Sequence, residues 1–286
     1  MAEKQPKELK KSGYALITGA SMGIGRAFAI ECAKNNIDLA LLSLPDSGLE
    51  CVVKYIQVNY NVDVKSFEID LTASGAPRQI YDWTKLERIS VKILINNAGL
   101  GHLGPFSEYS YEFYEKIIRL NVESVVLLTR LFLPELLQQT NGYILNVGSI
   151  ASFYPIPFKS VYSGSKTFIY AFSSALRDEL RNSSLTVSVL CPGPILTNQD
   201  VIARIRKGGF LGKLITMRPQ KMAAIALKNL FNHKAVIVPG RLNRCFLLLN
   251  HIIPTPIRRR ILLKKFNVQE KIEHTKEKKK YETASL

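Results

Sequence analysis

The feature that most constrains the fold is a regular alternation of short apolar runs with longer amphipathic segments. The apolar runs have the length of buried strands and cover residues 14–18, 38–43, 64–68, 92–96, 142–147, 186–191 and 235–238. The segments with helical spacing cover residues 24–35, 49–60, 75–85, 160–183 and 220–232, with two helices or one broken helix inside 110–140. Strands that alternate with helices are typical of a parallel sheet covered on both faces. The sequence therefore predicts one α/β domain over residues 12–240.

A glycine-rich turn, TGASMGIG (18–25), follows the first apolar run. Gly19 allows the chain to leave the strand with unusual dihedral angles, Gly23 allows backbone to approach a diphosphate, and Gly25 allows the next helix to pack closely. The N-terminus of that helix favours phosphate. The spacing is GxxxGxG rather than GxGxxG, and an ordinary strand–helix connection is the alternative for the turn alone. Its place after the first strand favours a Rossmann-type, doubly wound sheet.

The end of the second apolar run bears on the choice between two dinucleotides. An acid there would bind the ribose hydroxyls of NAD, whereas an arginine would accept the 2′-phosphate of NADP. The sequence at this point is SLPD (43–46). Asp46 lies beyond a proline and is interpreted as a turn residue. Because neither Ser43 nor Leu44 is acidic, the sequence favours NADP(H) over NAD(H).

Three polar residues suggest a reaction centre. Tyr162 and Lys166 are four apart in a predicted helix and so share one face, and Ser149 lies just after a predicted strand. A tyrosine hydroxyl ionises near pH ~10, and a neighbouring ammonium lowers its pKa. A serine hydroxyl can hold a substrate oxygen beside it. For Tyr162 and Lys166 taken alone, an amphipathic helix with a surface tyrosine and lysine is the better interpretation.

Together these motifs resemble the short-chain dehydrogenase/reductase family over residues 12–240. Besides TGASMGIG and the serine, tyrosine and lysine, the chain carries IDL (69–71), NNAG (96–99) and PGPILT (192–197) in the family's order. Asn121 matches the asparagine that completes the family's tetrad with Ser149, Tyr162 and Lys166. The glycine-rich turn and the end of the second strand indicate some of the cofactor-binding residues, and the resemblance implies the others. The full set is Thr18, Gly19, Ser21, Gly23, Ile24, Gly25, Ser43, Asp70, Leu71, Asn97, Ala98, Gly99, Tyr162, Lys166, Pro192, Gly193 and Thr197.

The resemblance also implies roles for the tetrad. Tyr162 would be the general acid in reduction and the general base in oxidation. Lys166 would bind the nicotinamide ribose and lower the pKa of Tyr162, and Asn121 would hold a water of a proton relay. The resemblance further implies a substrate lid within residues 198–219 and assembly as a homodimer or homotetramer.

Composition limits the compartment and the partners. The chain has 286 residues and a net charge of +16. No apolar stretch precedes the first strand, and no apolar run reaches the roughly 18 residues of a spanning helix. The four cysteines lack CxxC spacing, which predicts free thiols and no metal site. We therefore expect a cytoplasmic protein, with peripheral membrane contact as an open alternative.

The C-terminal part differs from the rest of the chain. Residues 241–266 mix apolar patches with a basic cluster, and residues 267–286 are predicted to be a charged, disordered tail. From Arg258 onward there are ten basic and four acidic residues. The apolar, basic segment has three interpretations: an interfacial membrane anchor, a helix that closes the pocket or packs in a dimer, and a helix docked on its own domain. We expect no nucleic-acid binding, because few aromatic residues lie among the basic ones.

The sequence as a whole predicts an NAD(P)(H)-dependent oxidoreductase that interconverts a ketone and a secondary alcohol. The apolar, basic C-terminal segment favours a lipid-like substrate, a 3-oxoacyl or 3-ketosphinganine type of compound. The stretch 238–243 also resembles a subgroup of the family that often acts on lipid-like or acyl substrates. A steroid or small-molecule carbonyl reductase is the alternative substrate class. A cofactor-binding regulator without catalysis is the alternative of another kind.

Overall fold

A computed structural model describes residues 13–193, 216–253, 256–257 and 259–264. Thr197, most of the expected lid and the expected tail lie outside these residues. Seven parallel strands form one sheet in the order β3-β2-β1-β4-β5-β6-β7. The strands are β1 Tyr14–Thr18, β2 Asp38–Ser43, β3 Val64–Glu68, β4 Val91–Asn96, β5 Gly142–Val147, β6 Leu185–Leu190 and β7 Val236–Ile237. The predicted doubly wound parallel sheet is confirmed.

The described residues include eight α-helices, besides a short helical stretch at residues 256–257 and 259–264. They are α1 Gly23–Lys34, α2 Leu49–Asn59, α3 Ala76–Leu86, α4 Tyr111–Ile118, α5 Ser124–Gln138, α6 Ser160–Glu179, α7 Pro219–Phe231 and α8 Arg241–Ile252. One apolar cluster joins one face of the sheet to α1, α2 and α7. A second cluster joins the other face to α3 and α5.

Burial on both faces explains why the central strands are apolar at nearly every position. In β1, the side chains of Ala15 and Ile17 enter the first cluster, and the intervening Leu16 enters the second. Successive side chains of a strand point to opposite faces, so a strand with two covered faces needs apolar residues without alternation. The continuous apolar runs of the sequence follow directly from this arrangement.

The boundaries of several elements differ from the predicted ones. The helix predicted for 160–183 ends at Glu179, where the chain turns and the Ser183 hydroxyl donates to the Leu180 carbonyl at 2.7 Å. The last strand shortens to Val236–Ile237. The segment 110–140 contains α4 and α5 separated by a π-helical turn, Arg119–Glu123. The predicted break is therefore a local widening of a nearly continuous helix.

The C-terminal segment packs on its own domain. Asn243 and Leu247 of α8 and Leu262 further on are buried, and the two leucines pack with Tyr154 and Ile156. Of the interpretations left open by the sequence, docking on the domain is the one seen for these residues. Among the helices of the described ranges, none combines the length and apolar character that crossing a bilayer requires.

We predict that Gly25→Ala destabilises the domain. Gly25 lies in α1, and a Cβ atom there would lie 2.0 Å from the Gly19 carbonyl oxygen, so backbone would have to move. The expected loss is roughly 1–3 kcal/mol in the free energy of unfolding, measured by urea denaturation. Gly164→Ala is the matched control, because a Cβ at that position of α6 meets no atom within 4 Å. A helical alanine there should be neutral or stabilising by up to ~1 kcal/mol. Equal stability of both variants would contradict the close approach.

Candidate active site

Ser149 and Tyr162 meet beyond the carboxyl end of β5. Ser149 lies two residues after the end of β5 and caps a 3₁₀ turn, Ile150–Phe153, with its hydroxyl accepting from the Ala151 N–H at 3.1 Å. Tyr162 lies in the first turn of α6, and a side-chain hydrogen bond joins it to Ser149. Burial raises the pKa of Tyr162, and the hydrogen bond with Ser149 acts in the opposite direction. The hydroxyl of Tyr162 is therefore held in its protonated form at neutral pH.

Lys166 lies one turn further along α6 and is buried. Its Nζ donates to the Val147 carbonyl at 2.8 Å and is 6.0 Å from the centre of the Tyr162 ring. Burial lowers the pKa of Lys166 from 10.5 to about 8, because charge is disfavoured away from water. That Lys166 in turn lowers the pKa of Tyr162 stays a prediction.

Asn121 occupies the π-helical turn between α4 and α5 and is fully buried. Its Oδ1 accepts from the Leu100 N–H at 2.8 Å, and its Nδ2 donates to the Leu100 carbonyl at 2.9 Å and to Ser165 Oγ at 3.0 Å. A Cβ at Gly99 would lie 3.2 Å from Asn121 Oδ1 and 3.3 Å from Lys166 Nζ. The four residues of the predicted tetrad therefore lie together beyond the carboxyl ends of the central strands.

The glycine-rich turn is tied to the end of β4. Thr18 Oγ1 accepts from the N–H groups of both Asn97 and Ala98 at 2.9 Å, and Asn97 Nδ2 donates to the Thr18 carbonyl at 2.8 Å. Gly19 and Gly23 have positive φ angles of 67° and 56°. The order of the strands reverses between β1 and β4, which is where doubly wound folds bind ligands.

Hydroxyl groups cluster at the end of β2. Ser43 is buried, and its hydroxyl lies 2.7 Å from the hydroxyls of both Ser21 and Ser47. Asp46 is exposed in the following turn with a φ of 56°, which agrees with its interpretation as a turn residue. The cluster therefore offers hydroxyls and no carboxylate.

The other predicted cofactor residues within the described ranges lie around the same end of the strands. Hydrogen bonds from Thr72 and the charge of Lys116 outweigh partial burial and lower the pKa of Asp70. Leu71 is buried, Ile24 packs on the core, and the Pro192 carbonyl accepts from the Ile150 N–H at 3.0 Å. Gly193 packs so closely on α8 that a Cβ would lie 2.7 Å from Asn243 Nδ2.

The sequence reasoning missed a buried polar chain behind the tetrad. Asn96 and Asn146 are opposite each other in β4 and β5, and Asn96 Nδ2 donates to Asn146 Oδ1 at 2.8 Å. Asn146 Nδ2 then donates to Ser173 Oγ at 2.9 Å. An asparagine near the end of each apolar run, KILIN and YILNV, is the signal that was available. This row of hydrogen-bonded side chains links β4 and β5 to α6, the helix that carries Tyr162 and Lys166.

Three further residues were also missed, and two of them lie beside Tyr162. Lys159 Nζ lies 5.7 Å from the centre of the Tyr162 ring, and Gly101 lies against the same ring, since a Cβ there would be 3.3 Å from it. His102 follows Gly101 and is buried. Cys191 is also fully buried, and burial raises its pKa to about 12.

Comparison with known proteins agrees with this fold and arrangement. The family model for short chain dehydrogenases matches residues 13–205. The chain is 34% identical over 199 residues to a very-long-chain 3-oxoacyl-CoA reductase of Anas platyrhynchos, covering 67% of this chain and 62% of the relative. It is 34% identical over 206 residues to the protein of the same name from Laccaria bicolor, covering 71% and 60%. The chain belongs to the short chain dehydrogenase family.

A solved structure supports the same assignment. A short-chain dehydrogenase from Sphingobium yanoikuyae in complex with NADPH has a TM-score of 0.71 and 26% identity, over 85% of this chain and 97% of that one. The two reductases named above are longer proteins, and the matches span about three fifths of their length.

Proposed function

We propose that the protein is an NAD(P)(H)-dependent oxidoreductase that interconverts a ketone and a secondary alcohol. The observation that carries the proposal is the meeting of Ser149, Tyr162, Lys166 and Asn121 beside the turn that follows β1. A protonated hydroxyl next to a serine suits acid–base work on a carbonyl oxygen. Its place at the edge where the strand order reverses suits a site shared with a dinucleotide.

The residues at this edge fit a nicotinamide dinucleotide. A Cβ at Gly19 would lie 3.1 Å from Asn97 Nδ2, so there is little room for a side chain at this point of the turn. The turn 18–25 and the start of α1 would hold the diphosphate. Asp70 and Leu71 would hold the adenine, and residues 97–99 its ribose. Pro192, Gly193 and Thr197 would meet the carboxamide. The bound nicotinamide supplies or accepts a hydride.

The four polar residues then divide the remaining work. The Ser149 hydroxyl holds the substrate oxygen, and the Tyr162 hydroxyl donates a proton to that oxygen in reduction and accepts it in oxidation. Lys166 holds the nicotinamide ribose and returns a proton to Tyr162. Asn121 fixes the backbone of Leu100 and binds the water through which the proton is replaced.

Tyr162→Phe tests the acid–base role. The variant keeps the ring and loses the hydroxyl, so we expect turnover to fall by about a hundredfold or more while cofactor affinity changes little. The measurements are steady-state oxidation of NADPH and fluorescence titration of the cofactor. Tyr170→Phe, two turns further along α6, is the matched control and should keep full activity. Full activity of Tyr162→Phe would reject the mechanism.

We further propose that NADP(H) is preferred over NAD(H). The support is the cluster of Ser21, Ser43 and Ser47 hydroxyls at the end of β2, with no carboxylate at Ser43 or Leu44 to repel a 2′-phosphate. Hydroxyls can donate to the phosphate oxygens, and an acid would instead bind the ribose hydroxyls of NAD.

Ser43→Asp should therefore reverse the preference. A carboxylate at this buried position repels the 2′-phosphate, and we expect the ratio of the NADPH and NADH dissociation constants to shift by roughly tenfold or more towards NADH. Titration of both cofactors gives the ratio. Asp46→Asn, in the adjacent exposed turn, is the control and should leave it unchanged. An unchanged ratio in Ser43→Asp would place the discrimination elsewhere.

The proposed substrate is lipid-like, of the 3-oxoacyl type. Very-long-chain 3-oxoacyl-CoA reductases are among the relatives. A cavity of about 780 Å³ between the start of α6 and the C-terminal segment is lined largely by apolar side chains, including Tyr154, Ile156 and Leu262, together with Arg259. None of the four tetrad residues lines this cavity, so it supports a place for an alkyl chain and not for the reacting carbonyl. A steroid or small ketone is the alternative substrate. If no ketone or alcohol supports turnover, a cofactor-binding regulator becomes the better proposal.

We also propose self-association and peripheral contact with an anionic membrane. The exposed side chains of Leu127 on α5 and Phe168 on α6 support self-association, which sedimentation velocity measures directly.

For membrane contact, the C-terminal segment exposes Ile257, Ile261 and Leu263 beside Arg259 and Arg260. Exposed apolar side chains with neighbouring cations are typical of interfacial binding.

Vesicle flotation tests the membrane contact. The full chain should float with vesicles that contain phosphatidylserine and not with neutral phosphatidylcholine vesicles. The double variant Arg259→Glu/Arg260→Glu should lose most of this binding, because each cation near an anionic surface contributes about 1 kcal/mol. The charge-matched control is the double variant Lys54→Glu/Lys221→Glu, which changes exposed lysines of α2 and α7. Equal flotation with both kinds of vesicle, or no effect of the double arginine change, would reject the contact.

A further inference from the structure

The segment that follows β6 runs alongside the reaction centre. The N–H groups of the residues immediately before and after Ser149 donate to the carbonyls of Leu190 at 2.8 Å and Pro192 at 3.0 Å. These hydrogen bonds tie the backbone at the end of β6 to both sides of Ser149. Gly193 is therefore the next residue beyond a stretch of backbone that is fixed beside the tetrad.

A side chain of the C-terminal segment packs against Gly193. A Cβ atom at Gly193 would lie 2.7 Å from Asn243 Nδ2, 2.8 Å from its Oδ1 and 2.9 Å from its Cγ, so the whole amide group lies against the glycine. Asn243 belongs to the first turn of α8 and is only 6% exposed. The φ angle of Gly193 is not among the positive ones. The contact with the amide is therefore enough by itself to exclude a side chain at this position.

A hydrogen bond holds the Asn243 amide in place. Its Nδ2 donates to the Pro239 carbonyl at 2.8 Å. A Cβ at Gly240, where φ is 92°, would lie 3.1 Å from the same nitrogen. Pro239 and Gly240 closely follow β7, which pairs with β6. The amide is therefore enclosed between two glycines and held by backbone that is continuous with the sheet.

The polar groups of Pro192 and Gly193 belong only to the backbone, since neither side chain carries a polar atom. Recognition of a carboxamide by these two residues therefore depends on where their backbone lies. Hydrogen bonds weaken steeply with distance, and a displacement of roughly 0.5–1 Å is enough to lose one. Such recognition requires a rigid support behind the backbone. Asn243 is the side chain that occupies this place.

We propose that Asn243 is a positioning residue that holds the backbone of Pro192 and Gly193 where it meets the nicotinamide carboxamide. The inference rests on the proposed dinucleotide site and deepens it, because it gives the C-terminal helix α8 a part in cofactor binding. Asn243 acts through Gly193 and needs no contact with the cofactor. The adenine end of the cofactor is assigned to the other half of the sheet, so its binding should not depend on Asn243.

The test compares two ligands that differ only in the nicotinamide. One is NADPH, and the other is 2′-phospho-ADP-ribose, which lacks the ring and its carboxamide. Asn243→Ala removes the amide and leaves a residue that favours the helix. We expect the full-length variant to bind NADPH roughly tenfold more weakly and to bind the fragment within about twofold of the wild type, measured by isothermal titration calorimetry. Cys245→Ala, an exposed change in the same helix, is the matched control and should leave both affinities unchanged.

The contact can also be tested from the side of the glycine. Gly193→Ala places a Cβ against the amide and should displace the segment, with a similar loss for NADPH alone. In Gly193→Ala/Asn243→Ala the new methyl group enters the space that the amide has left. The loss in this double variant should therefore be no larger than in Asn243→Ala. Fully additive losses would mean that the two residues act independently and would overturn the proposal.

Equal weakening of both ligands in Asn243→Ala that is folded by circular dichroism would mean a general structural role and would overturn the proposal. Unchanged affinity for NADPH would overturn it as well. If Asn243→Ala does not fold, the comparison of the two ligands in Gly193→Ala decides in the same way.

The proposed function fails in a different way. If the wild-type protein binds neither NADPH nor NADH, the dinucleotide site itself is rejected, and the role of Asn243 with it. If the wild type binds NADPH no more tightly than the fragment, the role of Asn243 is rejected and the dinucleotide site stands.

Discussion

The architecture of the site depends on the hydrogen bonds of one threonine. Thr18 Oγ1 accepts from two consecutive backbone N–H groups, those of Asn97 and Ala98, and so joins the carboxyl ends of β1 and β4. These two strands are neighbours, but the chain visits them far apart, with β2 and β3 in between. The Asn97 side chain adds bonds to the carbonyls of Thr18 and Gly19, so the glycine-rich turn and the segment that leads to Gly99 are held together at several points. Together they form one rigid edge.

A second set of polar contacts orients α6, the helix that carries Tyr162 and Lys166. The Asn96–Asn146–Ser173 chain runs through an otherwise apolar interior and connects β4 and β5 to α6. Buried amides are stabilising only when their partners are correctly placed, so this chain disfavours rotation or sliding of α6. Because Tyr162 and Lys166 belong to that helix, a contact about three turns from Tyr162 helps to determine where its hydroxyl lies.

The sequence was informative where its signal is local or repeated. A strand covered on both faces must be apolar throughout, so β1, β2 and β4 could be recognised from their residues alone. The tetrad could be assembled because its spacing resembles a known family. The π-helical turn was not predicted, because the sequence allowed two helices or one broken helix within residues 110–140 and gave no sign of how the two parts are joined.

His102 shows a different limit of sequence reasoning. In the stretch GLGHLG it has the surroundings of an exposed loop residue. It is buried only because Tyr109, Phe113 and Tyr114 return to it after the following 3₁₀ turn, Phe106–Glu108. The docking of α8 has the same character. Its apolar residues were visible, but the surface that they cover is formed by Tyr154 and Ile156, about ninety residues earlier.

Burial also determines the protonation states with which the proposed reaction would begin. The raised pKa of Tyr162 keeps its hydroxyl protonated at neutral pH, whereas the pKa of Lys166, near 8, lies within reach of that pH. A proton that leaves Tyr162 for a substrate oxygen produces a buried phenolate, and a buried charge is stabilised by an opposite charge close to it. Lys166 can supply that charge and then release a proton at little cost, since its two protonation states are close in free energy. The same burial that makes the tyrosine a weak acid therefore makes the lysine a suitable source for its reprotonation.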